Sequence, residues 1–343
     1  MAKVNLLTIH WGRSYGAVMQ TYATSKLLEK CGHDVTVINI IHPKLKYFYK
    51  RIRNFLYLFM DCQFSLFKHR YFPKLTHKMY DLNSKSLPKA DYVVIGSDQV
   101  WNRDITNPIE LAYFVNFDDK VKKISLASSF GKSEWSESKE YTNEVKGYLE
   151  KFEAISVRED TGKNILSNLF GLESTILIDP TLAYAQFDDL ILNKKEKKQI
   201  FTFIFSSKQE TKNIINAISE DLHLPIFKHS KLSYYLNNSP RQWLTNIRNS
   251  SYIITDSFHG LAFSIIFKKE FFVLCADEKK FTRLKSLLNL LGLEDRYILS
   301  VEDYIKRKKE LSKVVNYDEV YKILSVEQKK YQDFIEKNLI INR

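Results

Sequence analysis

The sequence predicts an α/β protein of two domains, each with a mostly parallel sheet covered by helices. Short apolar runs typical of buried strands alternate with segments of helical periodicity along most of the chain. The polar stretch NKKEKKQ at 193–199 separates two such series, and 343 residues are enough for two hydrophobic cores. We therefore expect an N-terminal domain at 1–183, a C-terminal domain at 184–316 and a C-terminal helix at 317–343, with a cleft for ligands between the two domains.

The N-terminal domain opens with a predicted strand, helix and strand. VNLLTI at 4–9 and DVTVINII at 34–41 are apolar runs of strand length, and the helical segment 17–32 between them closes on a glycine. Strands that alternate with helices favour parallel pairing, since each crossover needs about the length of a helix. The further elements predicted in this domain are strands at 91–96, 122–128, 154–159 and 174–180 and a charged helix at 134–151.

Residues 43–72 interrupt this alternation. The segment carries seven Lys or Arg, one Asp and ten Phe or Tyr. Its apolar residues recur at helical spacing, at Leu45, Phe48, Ile52, Phe55, Leu56 and Phe59. A basic helix with a wide aromatic face can lie in the interface of an anionic membrane. It can equally pack on its own domain with its basic side chains in water, and the sequence leaves both interpretations open.

The C-terminal domain repeats the alternation of strand and helix. Its predicted strands are 199–206, 224–229, 251–257 and 271–275, and its predicted helices are 209–222, 240–249, 258–267 and 281–291. The last part of the chain, 317–340, has the pattern of a long amphipathic helix. These elements are sufficient for a second parallel sheet.

The composition argues against several classes of protein. The formal net charge of +12 favours anionic partners, but zinc-finger spacing, RNP-like aromatic motifs and basic-region heptads are missing, so nucleic acid is not an expected partner. Three widely separated cysteines indicate neither a disulfide framework nor a zinc site, and we expect no metal. No apolar run reaches the length of a signal-peptide core or a membrane span, which favours the cytoplasm.

The stretch TDSFHG follows an apolar strand and opens an apolar helix. If Ser257 is the N-cap, the backbone N–H groups of the next three residues form a small anion site, with Gly260 keeping the first turn narrow. His259 then stands beside the anion as an acid or base in the useful pH range. The positive helix end disfavours a protonated imidazole, so Asp256 or the bound anion has to compensate. The alternative is a capped helix whose histidine only hydrogen-bonds a neighbouring loop.

Two further strand ends carry polar side chains. Arg158 follows AISV, where its guanidinium can bind a carboxylate or phosphate in the cleft, or can pair at the surface with Glu159 or Asp160. IGSDQVWN mixes hydrogen-bonding groups with an indole, which suits a sugar, although polar residues after a strand also form simple turns. The candidate acceptor-binding residues are Ser97, Asp98, Gln99, Trp101 and Asn102, joined by Tyr15, Gly16 and Gln20 from the strand-to-helix turn SYGAVMQ.

Taken in order, the motifs resemble the polysaccharide pyruvyl transferase family across nearly the whole chain. The resemblance rests on SYGAVMQTYA, IGSDQVWN, SLASSFG, SVRE, IDPTL, TDSFHGLAFSIIF and TRLKSLLNLLGLEDR. It implies a glycosyltransferase-B-like fold, in which two Rossmann-like domains face a cleft. It also implies transfer of the pyruvyl group of phosphoenolpyruvate to two hydroxyls of a sugar in a surface, capsular or other exopolysaccharide repeat unit. The products are a cyclic ketal and phosphate.

The resemblance assigns roles residue by residue. His259 matches the family's histidine and is the expected proton donor to the methylene carbon of phosphoenolpyruvate. Arg158 matches an arginine that follows a strand and is an expected catalytic ligand of the anionic donor. The remaining expected donor-binding residues are Ser257, Phe258, Gly260 and Arg283. The sugar acceptor is expected to meet the candidate residues named above.

Two positions depart from the family's usual motifs. Phe258 stands where relatives carry an arginine ahead of the histidine, so one cation for the donor is missing. The candidates to replace that cation are Lys208, Lys228 and Arg283. Ser14 stands where relatives often have an asparagine, directly before a Tyr-Gly pair.

The resemblance also implies a setting for the reaction. Phosphoenolpyruvate is a substrate, and no cofactor is expected. The acceptor is expected on a polyprenyl diphosphate carrier at the inner face of the plasma membrane, where the segment 43–72 suits peripheral contact with anionic lipid. The main alternative is a nucleotide-sugar-dependent glycosyltransferase of the same two-domain shape, since a fold does not fix a function. A carbohydrate- or membrane-binding protein without catalysis is the other alternative.

Overall fold

The structure of the chain is a computed structural model that describes residues 1–43, 55–228, 236, 238–275 and 278–340. Three parts of the sequence-based predictions lie outside these residues, namely positions 44–54 of the basic aromatic segment, position 229 of a predicted strand and positions 341–343. Contacts divide the chain into two compact units. The first unit is Met1–Tyr184 with the chain from Glu327 onwards, and the second unit is Ala185–Val326.

A parallel sheet forms the centre of the first unit. Its strand order is β3–β2–β1–β4–β5, and the chain moves outward from β1 on both sides. The five strands are β1 (Lys3–Leu7), β2 (Asp34–Val37), β3 (Lys74–Leu75), β4 (Tyr92–Ile95) and β5 (Lys122–Ser125). A parallel pair, β6 (Ser156–Val157) and β7 (Thr175–Ile176), continues beside β5 through isolated bridges. The strand order therefore reverses between β1 and β4, where α/β sheets usually bind ligands.

Helices of the first unit connect and cover these strands. They are α1 (Tyr15–Lys30), α2 (Phe55–Tyr71), α3 (Arg103–Thr106), α4 (Lys139–Leu149), α5 (Asp160–Ile165), which continues into a π-helical turn (Leu166–Phe170), and α6 (Pro180–Tyr184). Short 3₁₀ helices span Ser84–Ser86 and Glu110–Phe114. Ser14 begins α1 as its N-cap by accepting from the Ala17 N–H at 3.3 Å, and Gly32 follows its end with a left-handed φ of 84°.

The core of the first unit explains why its central strands read as uninterrupted apolar runs. All four residues of β4 are buried, because helices and loops cover both faces of a parallel sheet. The hydrophobic cluster joins strand residues such as Leu7, Val93 and Ile95 to Phe130 and Leu166. Burial on both faces fixes the strand ends, and the polar residues that follow them are held in place.

The second unit has a four-stranded parallel sheet in the order β11–β10–β9–β8. Its strands are β8 (Lys197–Phe203), β9 (Ser250–Thr255), β10 (Glu270–Leu274) and β11 (Tyr297–Ile298). Its helices are α7 (Gln209–Leu222), α8 (Pro240–Asn249), α9 (Phe258–Ile266), α10 (Glu278–Leu291) and α11 (Val301–Leu311), with 3₁₀ helices at Asp188–Leu190 and Glu294–Arg296. Its core gathers Ile200, Ile254, Phe272 and Ile298 from the four strands.

The last helix, α12 (Tyr317–Asn338), contributes to both units along its length. In the second unit, the Tyr321 hydroxyl donates to the Ile266 carbonyl at 3.0 Å. In the first unit, Gln328 Nε2 donates to the Leu182 carbonyl at 2.9 Å. The division of the chain at Val326 therefore falls within one continuous helix.

The predicted α/β class with parallel sheets is confirmed, and the differences concern single elements. The predicted strand 224–229 reduces to one bridge between Ile226 and Ile200, and the predicted strand 174–180 ends after two residues. Pro180 begins α6 directly, because a proline fits the first turn of a helix and cannot donate to a sheet. Within the described residues, no helix has both the length and the apolar character needed to cross a membrane.

Candidate functional site

The loop after β4 carries most of the predicted acceptor-binding residues. Ser97 is fully buried and donates to the Ala127 carbonyl at 3.0 Å. Asp98 has a left-handed φ of 77°, and its Oδ1 accepts from the Gln99 N–H at 2.9 Å. The Gln99 side chain accepts from Asn102 Nδ2 at 2.9 Å, while Asn102 Oδ1 caps α3. Polar side chains of the loop thus hold its shape at the carboxyl end of β4.

Trp101, in the same loop, is a core residue. It is 3% exposed, and its ring stacks on Phe114 with centroids 5.7 Å apart. Its indole N–H donates to the Tyr113 carbonyl at 3.0 Å. This corrects the prediction of a stacking platform, because the ring has no exposed face for a sugar. A large apolar ring gains more free energy in the core than at a wet surface.

The three residues of α1 that were predicted to bind the acceptor are buried or half-buried in the first unit. Gln20 is fully buried, and its Nε2 donates to Thr8 Oγ1 at 2.8 Å and to the Ile9 carbonyl at 3.0 Å. It therefore ties α1 to the end of β1, which corrects its prediction as an acceptor ligand. Gly16 lies in the buried first turn, and Tyr15 is half-buried at the first helical position.

Three carboxylates surround the Arg158 guanidinium. Its Nη1 lies 2.7 Å from Asp179 Oδ2, its Nε 3.6 Å from Glu159 Oε2, and its Nη2 3.8 Å from Asp98 Oδ1. The side chain is 3% exposed. Burial lowers the pKa of Arg158, but the three carboxylates outweigh burial and raise that pKa above its ordinary value. Arg158 does pair with Glu159, as one interpretation of the sequence held, but in the interior of the protein.

The cluster around Arg158 joins the carboxyl ends of β4, β6 and β7. Glu159 Oε1 accepts from Ser129 Oγ, and Asp179 Oδ1 accepts from the Thr181 N–H at 2.9 Å and its hydroxyl at 2.6 Å. With three carboxylates around one guanidinium, a substrate anion has to compete with Asp179 for Arg158. The binding of an anion by Arg158 stays a prediction.

In the second unit, β9 passes into α9 through a close contact between Thr255 and Gly260. The Thr255 hydroxyl donates to the Phe203 carbonyl at 2.7 Å and accepts from the Ser257 N–H at 3.0 Å. A Cβ at Gly260 would lie 2.1 Å from Thr255 Oγ1, so only glycine fits here without rearrangement. The turn that carries His259 is thus fixed by packing against the strand.

Asp256 organises a neighbouring loop. Its two carboxylate oxygens accept from the N–H groups of Phe205 and Ser206, each at 2.8 Å. These bonds fasten the segment after β8 to the end of β9. The carboxylate that was considered as compensation for a protonated His259 is therefore already engaged by two backbone donors.

The helix α9 begins with Ser257 as its N-cap, as the sequence predicts. Leu261 donates its N–H to the Ser257 carbonyl at 3.0 Å, and the Ser257 side chain makes no capping hydrogen bond. First-turn N–H groups have no acceptor within their own helix, so this end favours an anion. Phe258 and His259 are half-buried in that turn, with ring centroids 5.5 Å apart and nearly perpendicular planes.

The three candidate cations of the second unit lie in different places. Lys208 is the N-cap residue of α7, and its N–H donates to Ser206 Oγ at 3.3 Å. It therefore continues the loop that Asp256 holds. Lys228 is exposed, and Arg283 is half-buried on α10.

Sequence reasoning missed Asp179 as a partner of Arg158. The quoted motif IDPTL contains it, and the usable signal was an acid at the end of a predicted strand. It also missed Lys68, a nearly buried lysine on α2. The only signal for its burial was that Phe64 and Phe72 stand four positions before and after it in the sequence. Within the described part of the chain, no group of three or more His, Cys, Asp and Glu residues could hold a metal ion.

Comparison with known proteins adds a family and a fold. A family model described as polysaccharide pyruvyl transferase matches residues 15–274, which include both Arg158 and His259. No curated protein matches the sequence.

Three solved structures resemble the chain over almost its whole length. An MnaA–UDP structure from S. aureus has a TM-score of 0.52 at 13% identity and covers 99% of this chain and 97% of its own. The UDP-GlcNAc 2-epimerase from Methanocaldococcus jannaschii has a TM-score of 0.52 at 13% identity, covering 94% and 99%. A putative UDP-N-acetylglucosamine 2-epimerase from Listeria monocytogenes has a TM-score of 0.50 at 12% identity, covering 100% and 99%. At such identities the likeness shows the fold alone, which is of the glycosyltransferase-B type.

Proposed function

The chain belongs to the polysaccharide pyruvyl transferase family, and from that premise we propose that it transfers pyruvyl from phosphoenolpyruvate to two hydroxyls of one sugar. The product is a pyruvate ketal on a repeat unit of a surface or capsular polysaccharide, and phosphate is released. The observation that carries the proposal is the family match over 15–274, which includes the anion-favouring turn with His259. Phosphoenolpyruvate acts as a substrate, and the proposal includes no resident cofactor.

The proposed chemistry starts with a proton. His259 donates it to the methylene carbon of phosphoenolpyruvate, and the carbon that bears the phosphate becomes an oxocarbenium centre. A sugar hydroxyl adds to that centre and loses its proton, which balances the proton given to the methylene carbon. The bond between this carbon and the phosphate oxygen then breaks. A second hydroxyl of the same sugar adds to the same carbon and closes the ketal, and its proton leaves with the phosphate. A positioned acid of this kind typically contributes a factor of about 10² to 10⁴ to the rate.

The first turn of α9 supports this role of His259 electrostatically. The positive helix end disfavours an imidazolium, but the carboxylate and phosphate of the donor bring negative charge to the same place. Gly260 lets the helix backbone approach closely, and Ser257 begins the helix without a side-chain cap on its first N–H groups. Arg283 is the proposed cation for the position that Phe258 leaves without charge.

The role that we propose for the first unit is to bind the sugar acceptor. The loop after β4 offers the polar groups of Asp98, Gln99 and Asn102 at the carboxyl end of the sheet. We include Arg158 as the family's strand-end arginine, for which any donor anion has to compete with Asp179. The buried side chains of Trp101 and Gln20 support the shape of this region and are not proposed as contacts.

The change His259→Ala tests the proposal. We expect ketal formation to fall about 10²- to 10⁴-fold, because the methylene carbon loses its acid, while the thermal unfolding midpoint changes little. Mass spectrometry of the acceptor, which gains one pyruvate less one water, and an assay of released phosphate measure the reaction. His77→Ala, which removes an exposed histidine of the first unit, is the matched control. Near-normal ketal formation by the His259 variant would remove this residue from the mechanism.

A glycosyltransferase that uses a nucleotide sugar is the second candidate, because the solved structures of this fold include one with UDP. The two functions release different products. Phosphate release from phosphoenolpyruvate supports the pyruvyl transferase, whereas release of a nucleoside diphosphate from a nucleotide sugar supports the alternative.

We also propose peripheral contact with anionic membrane at the inner face of the plasma membrane, through the outer surface of α2. Leu58, Phe59 and Leu66 are 47%, 41% and 64% exposed on that helix, and Arg70 near its end is exposed too. Apolar and basic side chains on one exposed surface are typical of interfacial helices. The acceptor on a polyprenyl diphosphate carrier would be available there.

Sedimentation with vesicles of phosphatidylglycerol and phosphatidylcholine tests this contact. We expect the protein to bind these vesicles and the binding to weaken as salt is raised. The double variant Phe59→Ser with Leu66→Ser should bind several-fold more weakly, because it buries less apolar surface in the membrane. Val314→Ser is the control, because this valine is 78% exposed in the second unit. Equal binding by the double variant and the wild type would contradict a role of α2.

A further inference from the structure

A lysine occupies a position of α2 where the packing pattern calls for an apolar residue. Met60, Phe64, Lys68 and Phe72 are spaced by four residues and are 5%, 2%, 9% and 4% exposed. Residues at this spacing lie on one face of a helix and its immediate continuation, so Lys68 belongs to the buried face. A buried ammonium is costly unless an anion compensates it.

The neighbours of Lys68 on this face show what it lies against. The Phe64 ring is 5.2 Å from the ring of Tyr15, at the start of α1, and the Phe72 ring is 5.8 Å from that of His10. Lys68 lies between Phe64 and Phe72 along the helix, so it lies over the loop between β1 and α1. That loop follows the carboxyl end of β1, beside the point where the strand order reverses.

The described residues around Lys68 balance its charge only in part. Within the described residues, its ammonium makes no hydrogen bond or ion pair. Asp61, seven residues earlier on α2, accepts instead from Arg13 at 2.7 and 3.2 Å in a bidentate pair. Burial and the charge of Lys78 lower the pKa of Lys68 to about 8, although Asp61 acts in the opposite direction. His10 is neutral, since burial and then the charge of Lys68 lower its pKa to about 3.

The loop that Lys68 faces has features that suit an anion. A Cβ at Gly12 would meet no atom within 4 Å, so this part of the loop borders open space. The loop ends at the N-terminus of α1, a helix of 16 residues without an acidic residue in its first turn. A lysine and a positive helix end are the usual elements of a phosphate site.

We propose that Lys68 binds a phosphate or diphosphate group of the sugar acceptor. The first turn of α1 and the part of the β1–α1 loop around Arg13 complete this proposed site. The assignment to the acceptor rests on the proposed function, in which the donor anion is bound at the first turn of α9. It also rests on α2 itself, because the same helix exposes Leu58 and Leu66 to a lipid chain while Lys68 faces inward.

Binding of inorganic pyrophosphate to the whole chain, measured by titration calorimetry, tests the site without turnover. We expect Lys68→Met to weaken that binding about 10- to 100-fold, because one charge-assisted contact to phosphate is lost. Lys269→Met is the matched control, since Lys269 is also a lysine of low exposure but pairs with Glu196 at 3.7 Å in the second unit. Equal affinity of the Lys68 variant and the wild type would overturn the proposal.

A second variant guards against a folding defect. Lys68→Arg keeps the charge, and we expect it to retain pyrophosphate binding within a few-fold. Loss of binding in Lys68→Met alone, with normal circular dichroism in both variants, supports the site. Loss in both variants with an intact fold would overturn it, because charge would then not be the determinant.

Steady-state kinetics separates the possible sources of the phosphate. For Lys68→Met we expect a KM at least tenfold higher for a short-prenyl diphosphate saccharide, and unchanged KM values for phosphoenolpyruvate and for a p-nitrophenyl glycoside of the same sugar. A rise in the KM of phosphoenolpyruvate alone would overturn the assignment to the acceptor. If the protein has no pyruvyl transferase activity, the proposed function fails, and the pyrophosphate titration still decides whether Lys68 binds phosphate.

Discussion

Gly260 determines, at the scale of a single residue, how closely α9 approaches β9. The Thr255 side chain cannot turn away easily, because its hydroxyl is bonded to two backbone groups, the Phe203 carbonyl and the Ser257 N–H. An added methyl at Gly260 therefore has to move either the helix or the strand end. Either movement displaces the turn that presents His259.

We expect Gly260→Ala to lower the free energy of unfolding by about 1 to 3 kcal/mol, as overpacking in a close contact usually does. Ketal formation should fall more than stability alone explains, because a shift near 1 Å at a reacting group is costly. Urea unfolding and the mass-spectrometric ketal assay measure the two effects.

Gly147→Ala is the matched control for this change. Gly147 lies inside α4, and a Cβ there would meet no atom within 4 Å. Alanine is favoured over glycine in a helix by about 0.5 to 1 kcal/mol, so we expect a small gain in stability and no loss of activity. Similar effects of the two substitutions would show that the contact with Thr255 does not constrain α9.

His10 makes the stability of the first unit depend on pH. It is fully buried, with Nδ1 3.1 Å from the Thr8 carbonyl and Nε2 3.3 Å from Asn39 Oδ1. Burial and the charge of Lys68 lower its pKa to about 3, while its hydrogen bonds oppose this shift. Between about pH 6.5 and pH 3 the unfolded chain binds a proton that the folded chain does not, so His10 reduces stability as pH falls.

We expect His10→Asn to flatten the decline of stability between pH 6.5 and pH 4 by up to about 1.4 kcal/mol per pH unit, the contribution of one proton. Urea unfolding at half-unit pH steps measures the slope. His69→Asn, at an exposed position of α2, is the control for the replacement of a histidine by asparagine. Parallel pH curves for His10→Asn and the wild type would contradict a neutral, buried His10.

At the scale of elements, α12 fastens the end of the helix that carries His259. Tyr317 donates its hydroxyl to the Lys269 carbonyl and, at 3.3 Å, to the Ser264 carbonyl. Tyr321 donates to the Ile266 carbonyl at 3.0 Å. The last carbonyls of a helix have no partner within it, and a buried carbonyl without a donor is costly. The Ser264 carbonyl also accepts from the Lys269 N–H at 2.9 Å, whereas α12 supplies the Ile266 carbonyl with the Tyr321 hydroxyl as a donor.

We expect Tyr317→Phe with Tyr321→Phe to lower the unfolding free energy by about 1 to 3 kcal/mol, since the Lys269 and Ile266 carbonyls lose the hydroxyls that donate to them. Thermal and urea unfolding measure the loss. Tyr148→Phe on α4 is the control, because no hydrogen bond of its hydroxyl occurs within the described part of the chain. A change of less than about 0.5 kcal/mol in the double variant would show that α12 does not hold α9 through these groups.

At the scale of the whole molecule, the net charge is positive, but the buried cluster around Arg158 does not share this excess of positive charge. The net charge is +12, yet the buried cluster around Arg158 has more carboxylates than guanidinium groups. Long-range attraction of anionic lipid or substrate therefore depends on exposed lysines and arginines, whereas the cluster acts locally. Such long-range attraction weakens with salt, because the screening length is about 8 Å at physiological ionic strength.

The sequence by itself determined the features of this protein that depend on neighbouring residues. Apolar periodicity predicted the α/β class, and the change from an apolar strand to a polar turn predicted Ser257 as the N-cap of α9. The ordered motifs also indicated the family, which the match over 15–274 confirms. Such features are local because strand and helix periods and capping bonds involve residues only a few positions apart.

Only the tertiary structure decided which polar side chains meet and which aromatic rings are buried. Arg158 bonds Asp179, 21 positions away, and Ser97 lies within hydrogen-bond distance of Asp179 from 82 positions away. Trp101 was placed in the core by Phe114 and Phe130, and Lys68 was placed against the loop after β1 by the packing of α2. The physical reason is that the order of parallel strands brings distant strand ends to one edge of a sheet, and no local pattern encodes that order.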